Sequence, residues 1–262
     1  MSDRDLQDEL AFAHCLADAA GAAILPHFRN LSAVENKLEI GFDPVTIADR
    51  AAETAMRDLI VAQRPQDGIL GEEFPSRASR NGWSWTLDPI DGTRGFIAGT
   101  PVWCVLIALT FEDRPVLGMI AQPYLKERFS GFADIAELIA DNRKSSLRVS
   151  PVNVLSNAIL ATTDSHLFEG DEAEQFARLR DSVRLTRYGM DAYAYALVAA
   201  GGIDLVVETG LGLHDIHALV PVVRAAGGII TDWSGGQDYT TGRLIAAATP
   251  ALHNQAMAVL VG

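Results

Sequence analysis

Two stretches near the N-terminus repeat apolar residues at the spacing of an amphipathic helix. The apolar positions of the first stretch are Leu6, Leu10, Ala13 and Ala17. Asp3 or Asp5 can cap a helix there, so a first helix is predicted to run to about Arg29. A second helix is predicted to begin at Asp49. Its apolar positions are Ala51, Ala55, Met56, Leu59 and Ile60.

The middle of the chain has the pattern of two apolar strands joined by a polar turn. Residues 102–111 form the longest apolar run, and residues 116–122 form the second run. The segment between them, Glu-Asp-Arg-Pro, is typical of a turn. The longest run is about half of the roughly 20 residues that a membrane-spanning helix needs. It therefore predicts a buried strand, and the pair predicts a hairpin in the sheet of a first domain.

Beyond residue 150, segments with helical spacing alternate with short apolar segments. These segments cover residues 171–182, 183–186, 191–200, 203–208, 215–226 and 228–232. Such alternation favours an α/β layer arrangement. We therefore expect an α+β domain over residues 1–149 and an α/β domain over residues 150–262, with a boundary near Ser150 and Pro151.

The charge of the chain restricts its partners and its location. A formal net charge of -13 argues against nucleic acid or an anionic membrane as a partner. The charged N-terminus lacks the basic start and apolar run of a secretory signal, which predicts a cytoplasmic protein. Cys15 and Cys104 lie in apolar surroundings without metal-ligand spacing. They are expected to be reduced, packed thiols rather than a disulfide.

Four acidic residues carry the candidate chemistry. Asp88 and Asp91 lie three residues apart at a predicted strand end and run directly into a Gly-Thr pair. Glu72 follows an apolar pair and a glycine, and Asp215 opens an apolar helical run. Magnesium takes several oxygen ligands, so the set predicts a metal–phosphate site in which cations offset the acidic field for an anionic substrate. Each acid alone is equally typical of a solvated turn, and the combination favours the metal site.

Three motifs resemble the signatures of the inositol monophosphatase-like, magnesium-dependent phosphatases. They are Gly71-Glu72-Glu73, Asp88-Pro89-Ile90-Asp91-Gly92-Thr93, and Asp215 followed by Ala225-Ala226-Gly227-Gly228. The resemblance runs from about Leu6 to the C-terminus and implies a layered α-β-α-β-α fold, hydrolysis of a small phosphate ester and a homodimer. It fixes the reaction more firmly than the substrate. Residues 131–148 depart from the family's glycine-rich hairpin, which leaves the local structure there open.

The resemblance implies two or three Mg2+ ions in the site. Glu72, Asp88 and the Ile90 carbonyl would hold the first ion, which carries the nucleophilic water. Asp88, Asp91 and Asp215 would hold the second ion. The ions would clamp the phosphate for in-line attack, without a phosphoenzyme.

The resemblance also implies a catalytic pair, in which the carboxylate of Asp49 and the hydroxyl of Thr93 polarise the attacking water. The alternative is that Asp49 only caps the second helix, because aspartate is a preferred N-cap residue. The amides of Gly92 and Thr93 are expected to bind the phosphate at a helix N-terminus. Lys37 resembles a family lysine near the metals, but its spacing assigns it no role.

Two further acids, Asp191 and Glu208, bear on the substrate. In inositol-phosphate enzymes the residue at the position matching Asp191 is typically small, and the residue at the position matching Glu208 recognises a sugar hydroxyl. Two carboxylates are suited to bind an ammonium group, since charge-assisted pairing favours an amine over an uncharged polyol. With Trp85 and Phe96-Ile97 they resemble the histidinol-phosphate phosphatase branch, which predicts hydrolysis of L-histidinol phosphate in histidine biosynthesis. Alternatively, Asp191 only caps the helix that follows it.

Several rival interpretations stay open from the sequence. The substrate could be inositol 1-phosphate or another small polyol phosphate, or the chain could be a metal-dependent binding protein that lost turnover. His214 and His217 flank Asp215, but a zinc site would need a third nitrogen or sulfur ligand at a familiar spacing. Arg187 is expected to form a structural ion pair rather than to bind the phosphate.

Overall fold

The helices and strands follow the helical and alternating patterns of the sequence. A computed structural model describes residues 4–30, 35–36 and 44–261. Within these ranges the α-helices are α1 Leu6–Ile24, α2 Ile47–Gln63, α3 Thr93–Ala98, α4 Asp171–Ser182, α5 Asp191–Ala199, α6 Leu213–Ile216, α7 Leu219–Ala225 and α8 Pro250–Val261. The strands are β1 Glu35–Asn36, β2 Pro44–Val45, β3 Gly68–Gly71, β4 Trp83–Asp91, β5 Cys104–Phe111, β6 Arg114–Gln122, β7 Glu127–Phe132, β8 Ile135–Ala140, β9 Arg143–Ser146, β10 Ile159–Thr162, β11 Leu185–Tyr188, β12 Leu205–Glu208, β13 Ile229–Thr231 and β14 Leu244–Ala247.

A seven-stranded sheet contains β3 to β9 in sequence order. Strands β3 and β4 are parallel, and every later neighbouring pair is antiparallel. The predicted hairpin over residues 102–122 is present as β5 and β6. Residues 135–140, whose structure the sequence left open, form β8 and pair with both β7 and β9.

A five-stranded sheet follows, in the order β11-β10-β12-β14-β13. Strand β10 is parallel to β11 and β12, whereas β14 is antiparallel to β12 and β13. The parallel pairs are connected through α4 and α5, as parallel strands require crossover connections. The two sheets lie on either side of the proposed domain boundary between residues 149 and 150, and we keep that division as a proposal.

The elements stack in five layers. Helices α1 and α2 pack on the outer face of the seven-stranded sheet, and α5, α6 and α7 pack on its other face. Helices α5 and α7 also contact the five-stranded sheet, whose outer face packs against α8, with α4 beside it. The expected layered α-β-α-β-α fold is thus confirmed. None of the helices within the described ranges is long and apolar enough to cross a bilayer.

The two faces of strand β5 contribute side chains to two different hydrophobic cores. Successive side chains of a strand point to opposite faces. The side chains on the inner face, toward α5 and α7, are Cys104, Leu106 and Ala108. Those on the outer face, toward α1 and α2, are Val105, Ile107 and Leu109. All are fully buried, which explains why residues 102–111 read as a continuous apolar run.

Helix α7 approaches the seven-stranded sheet closely because glycines face it. A Cβ on Gly118 would lie 2.0 Å from the carbonyl oxygen of Ala218, and one on Gly131 would lie 2.6 Å from Val222 Cα. No side chain fits in either gap, so the helix backbone rests directly on β6 and β7. This contact fixes the height of α6, which precedes α7, above the sheet.

Several predicted boundaries were wrong for identifiable reasons. Helix α1 ends at Ile24 rather than Arg29, because Pro26 has no N–H with which to continue the helical hydrogen bonds beyond Leu25. Residues 215–226 form two helices, since Pro221 is tolerated in the first turn of α7 but would break a continuous helix. Both cysteines are free, as expected, but only Cys104 is packed. Cys15 is exposed, which corrects the prediction that its thiol is buried.

Candidate active site

A bulge in β4 brings Asp88 and Asp91 to the same side of the sheet. Asp88 pairs with Leu106 and Asp91 with Cys104, so three steps along β4 match two along β5. Residues three apart in a regular strand point to opposite faces, and one extra residue restores the match. Pro89 lies in this bulge, where its missing N–H costs no ladder hydrogen bond.

The four predicted acids meet at the end of β4 in two overlapping groups. Asp88, Asp91 and Asp215 each offer an oxygen within 4.8 Å of the others, and Glu72, Asp88 and His214 form a second group by the same measure. Glu72 arrives there because β3 runs parallel to β4 and ends beside it. Asp215 comes from α6, on the opposite wall. Asp88 belongs to both groups and is only 2% exposed.

The acids repel one another strongly. Burial raises the pKa of Asp88 well above its usual value, and the charges of Glu72, Asp91 and Asp215 raise it further. Burial likewise raises the pKa of Asp91, with added repulsion from Asp191 and Asp215. Full ionisation of this cluster therefore needs compensating positive charge. Carboxylate oxygens at this spacing fit hard divalent cations, so the residues present are suited to hold metal.

One carboxylate oxygen of Asp49 accepts hydrogen bonds, and the other has no partner among the described residues. It is the third residue of α2, whose N-cap is Thr46, so the prediction that Asp49 begins the helix is corrected. Its Oδ2 accepts hydrogen bonds from the amide and the hydroxyl of Thr46, at 2.9 and 2.6 Å. Its Oδ1 is buried and has no partner among the described residues. Burial raises the pKa of Asp49 to about 6, against the hydrogen bonds from Thr46 and with repulsion from Glu72.

Thr93 has a different partner from the expected one. Its hydroxyl donates to the carbonyl oxygen of Ile90 at 3.0 Å, and the hydrogen bonds of Asp49 go to Thr46 instead. The catalytic pair of Asp49 and Thr93 is therefore not formed in this structure, and it stays a prediction. Lys37 lies outside the described residues.

Gly92 is needed both for its backbone angle and for its lack of a side chain. It precedes α3 at φ 84°, in the left-handed region that glycine tolerates best. A Cβ there would lie 3.1 Å from the carboxylate of Asp191. Gly92 thus starts α3 and lets the Asp191 side chain lie against the metal-site loop. The amide of Thr93 lies at the N-terminus of this helix, as expected.

A cleft of about 280 Å³ joins the metal site to the predicted substrate residues. It is lined by Asp91, Gly92, Thr93, Arg94, Thr163, Leu167, Asp191, Glu208, Thr209, Gly210, Leu211 and Asp215. Residues from both halves of the chain contribute to it. A substrate that reached the acids at one end would therefore contact Asp191 and Glu208.

Asp191 is the first residue of α5, but its side chain does not cap that helix. The cap is supplied by Asp91, whose Oδ2 accepts the amide of Ala192 at 2.6 Å. Asp191 itself adopts φ 47°, an uncommon angle for a non-glycine residue. Burial raises its pKa to about 6, Arg94 lowers it and Asp215 raises it. The capping alternative for Asp191 is therefore wrong, and its carboxylate faces the cleft.

Glu208 ends β12 and is 4% exposed. Its Oε1 accepts both the amide and the hydroxyl of Thr163, at 2.8 and 2.6 Å. Burial raises its pKa to about 7, although the Thr163 hydroxyl opposes the rise and the Asp191 charge adds to it. Thr163 was not predicted from the sequence, because it lies 45 residues from Glu208 and carries no motif.

The structure also places four other residues that the sequence singled out. His214 stands within reach of Glu72 and Asp88, although no third nitrogen or sulfur ligand joins it among the described residues. Trp85 and Phe96 are fully buried in the core and do not line the cleft. Arg187 is exposed and has no ion pair with any described residue, so the predicted ion pair was wrong.

Comparison with known proteins agrees with these motifs. The sequence model of the inositol monophosphatase family matches residues 5–261. A bifunctional phosphatase of Arabidopsis thaliana is 40% identical over 98% of this chain and 76% of its own. A histidinol-phosphatase of Streptomyces coelicolor is 36% identical over 98% of both. A solved inositol monophosphatase of Zymomonas mobilis superposes with a TM-score of 0.86 at 39% identity, covering 98% of this chain and 99% of that one. The chain belongs to the inositol monophosphatase family of phosphatases.

Proposed function

We propose that this phosphatase hydrolyses L-histidinol phosphate to L-histidinol and phosphate, with Mg2+ as its cofactor. One observation carries the proposal: Asp191 and Glu208 line the same small cleft as the acids Asp91 and Asp215. A phosphate held at the acids through cations would place the rest of the ester beside two more carboxylates. The histidinol-phosphatase of Streptomyces coelicolor, 36% identical to this chain, supports the same substrate.

The cation sites follow from the two acidic groups. We assign Glu72, Asp88 and the Ile90 carbonyl to one ion, and Asp88, Asp91 and Asp215 to another, with two or three ions in all. When bound, Mg2+ would lower the pKa of an attacking water and neutralise charge on the phosphate oxygens. Asp88 has the most demanding position, because it belongs to both groups and is the most buried of the acids.

The protein's own groups orient the phosphate and manage the proton. The amides of Gly92 and Thr93 donate to phosphate oxygens at the start of α3. The unpartnered Oδ1 of Asp49 accepts the Thr93 hydroxyl once that hydroxyl leaves the Ile90 carbonyl. Thr93 can then accept a hydrogen bond from the attacking water and relay its proton to Asp49.

Asp191 and Glu208 bind the ammonium group of the substrate. Their pKa values are raised to about 6 and about 7, chiefly by burial, so the ionised pair is costly in the free protein. A cationic group between them would lower both pKa values and recover this cost. A neutral polyol offers only hydrogen bonds and leaves the repulsion in place.

The experiment that tests this assignment is a change of substrate preference in Asp191→Ala. We expect kcat/KM for L-histidinol phosphate to fall about 100-fold, since a buried charge-assisted contact contributes about 1.5–3 kcal/mol. Activity on inositol 1-phosphate should be unchanged or higher. Asp171→Ala is the matched control, because Asp171 is also the first residue of a helix but is exposed and outside the cleft.

A second candidate substrate, inositol 1-phosphate, is supported by the Zymomonas mobilis structure, which is described as an inositol monophosphatase at 39% identity. Equal loss of kcat/KM on both esters in Asp191→Ala would favour it over histidinol phosphate. A metal-dependent binding protein without turnover is the third possibility. Mg2+ binding without phosphate release from a broad panel of esters would support that alternative.

A further inference from the structure

A buried carboxylate on α2 holds the backbone next to Glu72. Glu53 is 0% exposed. Its Oε2 accepts the amide of Glu73 at 2.7 Å, and its Oε1 accepts the amide of Phe74 at 3.3 Å. The chain that follows Glu72 is therefore anchored to a helix 20 residues earlier in the sequence.

Arg57, one turn further along α2, completes the anchor. Its Nε donates to Glu53 Oε1 at 2.7 Å. Its two terminal nitrogens donate to the carbonyl oxygens of Phe74 and Pro75, at 3.0 and 3.1 Å. The pair Glu53 and Arg57, which we call the α2 clamp, thus binds both amides and carbonyls of the loop after Glu72.

Gly71, which precedes Glu72, has no side chain and therefore leaves room for the α2 clamp. A Cβ on Gly71 would lie 1.9 Å from Glu53 Oε1, so the carboxylate crosses directly over the glycine. Gly71 is also paired with Leu87 in the parallel ladder of β3 and β4. Glu72 is consequently fixed on its N-terminal side by the sheet and on its C-terminal side by Glu53.

We infer that Glu53 is a positioning residue for the metal site, which fixes the backbone of Glu72 so that its carboxylate reaches Asp88 and His214. The inference rests on the proposed function, in which Glu72 is a metal ligand. Groups that hold a ligand in place preorganise a metal site, and their loss typically costs about 10–100-fold in metal affinity. A purely structural ion pair would change stability without changing that affinity.

The test is the Mg2+ dependence of thermal stability, measured without substrate. In Glu53→Gln one oxygen becomes an amide nitrogen that faces N–H donors, so the clamp loosens while the side chain keeps its size. We expect the Mg2+ concentration at half of the full Tm rise to increase about 10-fold. In turnover assays, saturating Mg2+ should restore most of kcat, which separates positioning from chemistry.

Glu9→Gln is the matched control. Glu9 is also buried and paired with an arginine of the α2 region, but its partner Arg64 lies at the far end of that helix, at 3.1 Å. We expect this variant to lose stability with an unchanged Mg2+ midpoint. Arg57→Lys is the milder second variant, for use if Glu53→Gln does not fold. It keeps the charge but loses bonds to the loop carbonyls, and a smaller rise in the midpoint is expected.

The outcomes separate the two proposals. If the wild-type protein responds to Mg2+ and the clamp variants keep its midpoint, the positioning role is refuted while the metal site stands. If the wild-type Tm shows no response to Mg2+, the metal assignment fails and the role of Glu53 fails with it. A raised midpoint in the clamp variants alone supports the inference.

Discussion

Thr86 Oγ1 and His217 Nδ1 lie 3.0 Å apart and form a buried hydrogen bond between β4 and the C-cap of α6. Thr86 precedes Asp88 by two residues, and His217 follows Asp215 by two. The bond therefore joins the two elements that carry the shared acid of the site and its partner from the opposite wall. The two residues are 131 positions apart in the sequence, so no local sequence pattern predicts the bond.

Removal of this bond should weaken the protein and its metal site together. Thr86→Val leaves a buried ring nitrogen unpaired, which is expected to lower the free energy of unfolding by about 1–3 kcal/mol. Urea denaturation measures this loss, and a Mg2+ titration of Tm should show weaker binding. Thr110→Val is the control, since the Thr110 hydroxyl donates to the Ser84 carbonyl at 3.2 Å without touching α6. Wild-type stability in Thr86→Val would show that this hydrogen bond does not stabilise the protein.

His217 also predicts how stability depends on pH. Burial lowers its pKa to about 4, against the charge of Asp113 and with repulsion from His214. The unfolded chain, with an ordinary histidine pKa of about 6.5, then binds more protons between these values. The contribution of His217 to stability should therefore be full above pH 6.5 and fall as the pH drops toward 4.

The variant His217→Asn isolates this contribution. Asparagine places an oxygen near the position of Nδ1, where it can accept the Thr86 hydroxyl, and it does not titrate. Urea denaturation at several pH values should show a smaller loss of stability between pH 6.5 and 4 than in the wild-type protein. An identical pH profile in the two proteins would refute the assignment to His217.

Asp88, the acid shared by both groups, is expected to affect stability in opposite directions with and without metal. Since the raised pKa of Asp88 makes its ionisation costly at neutral pH, Asp88→Asn should stabilise the metal-free protein. The same change should abolish turnover and remove the Mg2+-dependent rise in Tm. In the wild-type protein that rise corresponds to about 2.7 kcal/mol at 100 times the dissociation constant.

The control for Asp88→Asn is Asp141→Asn. Asp141 is exposed in the turn between β8 and β9 at φ 49°, which asparagine tolerates. Both variants remove one negative charge, so a general charge effect would appear in both. Normal Mg2+-dependent activity in Asp88→Asn would show that Asp88 does not bind the cations.

Thr93→Ala should slow the chemical step more than it weakens substrate binding. Its hydroxyl is proposed to orient the attacking water, so kcat should fall about 100-fold with little change in KM. Thr100→Ala is the control at the other end of α3, where the Thr100 hydroxyl donates to the Gly95 carbonyl at 3.0 Å. A raised KM with an unchanged kcat would instead indicate that Thr93 only binds the phosphate.

The layered fold and the meeting of the acids were predictable from the sequence. The segment Asp88 to Thr93 combines acids, proline and glycine in one short motif. The bulge that turns both aspartates to one side was not predictable, because it depends on pairing with Cys104 and Leu106. Periodicity alone would have separated the two side chains.

The groups that support the site were missed because their partners are distant in sequence. Thr163 holds Glu208 across 45 residues, and Glu53 holds Glu73 across 20 residues. The residue type of Asp191 is typical of a helix cap, whereas the cap comes from Asp91, 101 residues away. Such contacts are set by tertiary packing, so residue type and spacing do not reveal them.

The proposed substrate is tested by phosphate release with Mg2+ from L-histidinol phosphate and from inositol 1-phosphate, measured in parallel on the wild-type protein. We expect kcat/KM to be at least about 100-fold higher for the histidinol ester, as buried charge pairing to Asp191 and Glu208 implies. Equal values, or a preference for inositol 1-phosphate, would contradict the proposed substrate and leave the metal site intact.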